Sequence, residues 1–111
     1  MNKLTLAQVE RIALLVEEAS EVIHAAQKII RHGYLSYHPK CPNFDNRAQL
    51  IRELGDFAAS VSLLIQSGDL GENAAYSINL ESKDKLWRVR KYLHSEDNVV
   101  LVNTLRTIKE D

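Results

Sequence analysis

The chain has one cysteine, Cys41, and no Cys-x-x-Cys pair. A lone cysteine makes no internal disulfide, so a reducing cytosol is the expected compartment. There is no surplus of either charge, and the net value is −1 at pH 7. So even a balance sets up no general field to recruit a nucleic acid polymer or an anionic membrane. No stretch approaches the roughly 18 consecutive apolar residues of a membrane-spanning helix. The start, "MNKLTLAQVERI", turns charged and amphipathic too soon for a secretion signal. Internal repeats and low-complexity segments are also missing. The two prolines, Pro39 and Pro42, stand together in one short segment.

What is present is apolar and periodic. Hydrophobic residues make up 45% of 111 residues, enough for the core of one small domain over 1–111. Thr5 and Gln8 form a capping-box pattern. Beyond them Val9, Ile12, Val16, Ala19, Ile23, Ala26 and Ile30 recur at helical spacing, and Gly33 is a stop. The first helix is predicted over 5–32. "YLSYHPKCPNFDN" then reads as a loop, rich in Pro, Asn and Asp. Asn46 and Gln49 repeat the capping pattern. Leu50, Leu54, Phe57, Val61, Leu64 and Ile65 mark a second helix over 47–67. A third is predicted over 72–94, anchored by Leu80, Leu86, Trp87, Val89 and Leu93. In the tail, "VVLV" has the composition of a strand but no partner strand, so a short helix is expected. The C-terminal helical segment as a whole spans 72–108. The fold class is therefore all-α, an antiparallel helical bundle. Two long amphipathic helices in so short a chain leave apolar surface for self-association to cover.

Inside these helices sit unexpected acids. Glu18 and Glu21 are three apart in the first helix, and Glu53 and Asp56 are three apart in the second. Each pair projects from one side of its helix. If the helices are antiparallel, the four carboxylates converge near mid-helix. Such a cluster repels itself unless a hard divalent cation offsets it, and Mg²⁺ or Mn²⁺ suits an all-oxygen set. The bland alternative is a set of solvated acids paired with Arg11, Lys28 or Arg52.

"EEASE", residues 17–21, followed by "ELGD", residues 53–56, resembles the signature of the all-α nucleoside triphosphate pyrophosphohydrolases, the MazG-like group. "KIIRHGYLSYHP" and "NRAQLIRELGD" extend the likeness to the small MazG-like proteins often carried by phages. It covers about residues 8–70. The interval from Glu21 to Glu53 is longer than is common in that family, and the loop takes it up. The resemblance implies cleavage of a nucleoside or deoxynucleoside triphosphate to the monophosphate and pyrophosphate. It implies a homodimer or homotetramer, in the host cytoplasm if the chain is phage-encoded. It also implies that Glu18, Glu21, Glu53 and Asp56 hold the metal, which neutralises the triphosphate and activates water. Glu17 either binds through water or takes a proton.

Lys28 follows Glu21 by two turns, about 10 Å along the axis, and is the first choice for a phosphate contact. Arg31 is the second. Each also suits the helix C-terminus electrostatically. Asn46 is an expected N-cap with a possible substrate contact. Tyr37 and Tyr34 either stack on a base or pin the loop. Trp87 is expected in a core or interface. Two other functions fit part of the pattern. Glu21-x-x-His24 is one half of a di-iron carboxylate motif, but no second Glu-x-x-His follows. A nucleotide-sequestering module would use the same acids without turnover, and a plain helical interaction protein would need none of them.

Overall fold

The computed structural model describes residues 3–110. Residues 1, 2 and 111, part of the single domain expected over 1–111, lie outside the described residues. The chain divides into two compact units, Met1–Leu70 and Gly71–Asp111. The described residues are all-helical, with no strand beyond one isolated bridge. Among them no helix is long and apolar enough to cross a membrane.

The first unit is a helix pair. Helix α1 runs Leu6–His32. Thr5 caps it through the expected box: its side chain accepts from the Gln8 amide, and Gln8 returns a bond to the Thr5 amide. Gly33 ends it at φ 87°, a left-handed value that suits glycine, and its amide donates to the Ile29 carbonyl. Helix α2 runs Asn46–Gln66. Here the expected cap is corrected. Asp45, not Asn46, accepts from the Ala48 amide, while the Asn46 side chain donates across the loop to the Gly33 carbonyl at 3.0 Å. The reason is tertiary: Asp45 is held in an antiparallel bridge with Tyr37. The Asn46 and Arg47 amides donate to the carbonyls of Ser36 and Tyr34. The loop is thus folded back on the start of α2.

Contacts at both ends make the pair antiparallel. Near the start of α1, Arg11 clasps Asp69, just past α2, with bonds of 2.6 and 2.9 Å. At the other end Lys28 meets Gln49. The guanidinium holds the Asp69 carboxyl below its ordinary range.

The face of α1 turned to α2 is not its most apolar one. Arg11, Leu15, Glu18, Val22, Ala25 and Ile29 form the centre of the packed face, within about 80° of arc at 100° per residue, and Gln8, Leu14, Ala19, Ala26 and Lys28 flank it as half-buried positions. Ala25, 1% exposed, is the tightest of them. The facing residues of α2 are Gln49, Glu53, Phe57, Ser60 and Leu64, with Leu64 3% exposed. The stripe Val9, Ile12, Val16, Ile23 and Ile30 lies roughly 120° away round α1 and is exposed, Ile30 to 84%.

The second unit holds α3 (Ala74–Arg88), a 3₁₀ turn (Val89–Lys91) and α4 (Glu96–Glu110). The predicted helix over 72–94 is therefore shorter, because Val89–Lys91 tightens into the 3₁₀ turn. Two expected anchors, Leu80 and Trp87, are exposed rather than buried, and Leu86, Val89 and Leu93 are half-buried. The strand-like "VVLV" is helical. Helical spacing puts Val99 and Val102 on one face, and Val102 is buried.

Candidate functional site

Antiparallel packing sets the middle of α1 against the first half of α2. Glu18 is on the packed face of α1, and Glu53 is on the packed face of α2. Asp56 follows Glu53 at the edge of the same side, about 60° round. These three acids each bring a carboxylate oxygen within 4.8 Å of the other two. Glu18 and Glu53 are half-buried, and Asp56 is exposed. Partial burial, then the charges of Asp56, Glu17, Glu53 and Glu21, push the Glu18 carboxyl above its ordinary range.

Of the four expected metal ligands, three are brought together. Glu21 is exposed, outside the trio, and acts on Glu18 through its charge. Glu17 is likewise exposed and near enough to be felt by Glu18. His24 is exposed and is not among the converging ligands, so the half di-iron motif is not assembled here.

A second feature lies toward the loop end of the same helix pair. A cavity of about 500 Å³ is lined by residues of α1, the loop and α2. Its wall includes all four residues expected to touch substrate: Lys28, Arg31, Tyr37 and Asn46. The Lys28 ammonium donates to the Gln49 side chain at 3.3 Å, which holds it toward α2. Gln49 precedes Glu53 by one turn, about 6 Å along the axis, so cavity and carboxylates follow one another along the pair. Tyr37 is exposed at the wall. Tyr34 is not in the lining; the Arg47 guanidinium sits 5.5 Å from its ring centre, so it pins the loop.

Sequence reasoning missed Gln49, His32, His38 and Phe44, which also line the cavity. Gln49 had a signal, since it sits four residues before Glu53. The His38 and Phe44 positions depend on the folded loop. The Cys41 amide donates to the His38 carbonyl, and the Phe44 amide to the Cys41 carbonyl, turning the chain twice.

Chemically, the trio is a donor set of hard oxygens whose mutual repulsion a divalent cation would relieve. The cavity adds cations, amides and aromatic rings, the groups that engage phosphate and base. Compared with known proteins, the chain matches no family model, no curated protein and no solved structure.

Proposed function

We propose that this chain is a Mg²⁺-dependent pyrophosphohydrolase of nucleoside or deoxynucleoside triphosphates, of the MazG-like type, serving to control or clean a nucleotide pool. The observation that carries the reading is the alignment of the Glu18–Glu53–Asp56 trio with a cation-lined cavity along one helix pair.

The donor set fits the metal. Three carboxylates within 4.8 Å of one another suit Mg²⁺ or Mn²⁺, and with no imidazole or thiolate among them they suit Zn²⁺ less. Once bound, such an ion supplies charge neutralisation and a more acidic water. The chain's own residues do the rest. Glu18, Glu53 and Asp56 would hold the ion, and Glu21, exposed outside the trio, would join them as the fourth ligand. Lys28, and Arg31 behind it, draw the phosphates toward the loop end. Asn46 and Gln49 offer amides, and Tyr37 offers a face to the base. Glu17, exposed and close enough for its charge to act on Glu18, would either bind the ion through water or take the proton from the attacking water. Attack at the α-phosphorus breaks its bond to the bridging oxygen, leaving monophosphate and pyrophosphate.

The exposed stripe on α1 supports completion of the bundle by a second copy, as a homodimer or homotetramer. An apolar face about 30 Å long is unusual on a surface that stays in water.

The test is a product assay. Purified protein with Mg²⁺ is offered a panel of NTPs and dNTPs, beside Glu53→Gln and Glu21→Gln. Monophosphate plus pyrophosphate, lost in Glu53→Gln, is the expected result. Binding without any product would replace the enzyme by a sequestering module. Neither binding nor product would leave the acids as a charged stripe.

A further inference from the structure

The second unit has a charge distribution that the chain's near-zero net value conceals. Five of the 14 Lys and Arg residues fall within "KDKLWRVRK", residues 83–91, beside one acid, Asp84. Asp84 is already engaged by Arg88, Nε to Oδ2 at 2.7 Å. Among the described residues, Lys83, Lys85, Arg90 and Lys91 form no ion pair.

This segment borders a hollow. Where α3 tightens into the 3₁₀ turn, Trp87, Arg88, Arg90 and Lys91 line a cavity of about 330 Å³ whose other wall is Val99 of α4. That volume falls in the range of small-ligand sites, about 300–1,000 Å³. Among the described residues, the lining has three cations, an indole, one aliphatic side chain and no acid. Trp87 is 42% exposed. The Arg90 guanidinium lies 4.4 Å from the centre of its ring system. Cation–π attraction holds the two together.

The lining specifies its ligand in two parts. The cations call for an anion, and no acid among the described lining residues repels one. The indole and guanidinium call for a flat ring, since both stack on nucleobases. Inorganic phosphate would leave the Trp87 surface unused. The cations also outnumber what one phosphate needs. Lys83 is one helical turn before Trp87 on the same face, and Lys83 to Lys91 spans about 12 Å.

We infer that the α3 end of the second unit binds single-stranded nucleic acid, with a base stacked on Trp87 and adjoining phosphates on Arg90, Lys91 and Lys83. The inference is independent of the carboxylate site, and the test is run in EDTA so that no metal-dependent binding contributes.

Trp87 is the sole tryptophan, so intrinsic emission reports this position alone. The full chain is titrated with a short fluorescein-labelled oligo-dT, read by anisotropy, and with its unlabelled form, read by Trp emission. The expected result is binding with concurrent quenching. The log–log salt slope should be about −2, from three phosphate contacts at about −0.7 each. Trp87→Ala should weaken binding roughly 5- to 150-fold, the equivalent of about 1–3 kcal/mol for one stacked base. Trp87→Phe should retain most of the affinity, which separates lost stacking from lost folding. Arg90→Ala should flatten the slope by about 0.7. Three results would overturn the inference: no anisotropy change at low salt, equal affinity for wild type and Trp87→Ala, or dTMP binding as tightly as the oligomer.

Discussion

Glu18 of α1 and Glu53 of α2 bring carboxylate oxygens within 4.8 Å of each other across the helix pair, and Asp56 closes the group. Like charges held this close destabilise the fold that holds them. A bound divalent cation reverses the sign. Mg²⁺ should therefore raise the melting temperature of the chain, by about 2.7 kcal/mol of stability at a hundredfold excess over Kd. Thermal shift with and without Mg²⁺ measures this. Glu53→Gln should abolish the response, and an unchanged response in that variant would mean the ion binds elsewhere.

The Glu18 carboxyl has a raised pKa, by burial first and neighbouring acids second. The folded chain thus holds this proton more tightly than the unfolded one. Its contribution is present in full below the unfolded value, near 4.5, and is lost as pH rises through the folded value. Metal-free protein should lose stability over that window. Glu18→Gln should remove that component and raise the melting temperature at neutral pH. Melting curves from pH 4 to 8, in EDTA, would show whether the two profiles converge at the acid end, as expected.

Lys28 is turned toward α2 by Gln49 at 3.3 Å and lines the larger cavity. Charge-assisted hydrogen bonds are worth about 1.5–3 kcal/mol. Lys28→Ala should then weaken triphosphate binding by roughly 10- to 150-fold and monophosphate binding by much less. Isothermal titration with both ligands tests it, and equal losses would remove Lys28 from the phosphate site.

The stripe Val9, Ile12, Val16, Ile23 and Ile30 is exposed along α1. If a second copy covers it, a charge in its middle should separate the copies. Val16→Lys with Ile23→Lys is expected to shift the chain to monomer by light scattering. It should leave helical content by circular dichroism nearly intact, because these positions do not face α2. A monomeric wild type would discard the covering copy.

Much of this architecture was legible in the residues. Thr5, Gln8 and Gly33 mark both ends of α1 because caps are local hydrogen-bond patterns within a few residues. The spacing of Glu18 to Glu21 and of Glu53 to Asp56 was legible for the same reason, as a property of one helix. Asp45 was missed as the cap of α2 because Asn46 offers the same chemistry one residue later; the bridge to Tyr37 made the choice. Strand propensity in "VVLV" yielded to a helix that turns Val99 and Val102 inward and leaves Val100 and Leu101 exposed.

By itself, then, the sequence determined that the chain is helical, where its first helix begins and ends, and which acids share a side. Those follow from the 3.6-residue repeat and from backbone groups that must be satisfied at helix ends. Only the tertiary structure decided which face of α1 meets α2. It chose the face bearing Glu18 and Ala25 over the more apolar stripe. That choice gathered Glu18 with Glu53 and Asp56, left Glu21 at the edge, and set Lys28 beside Gln49. Periodicity describes one helix alone, while convergence depends on the rotation and register of two.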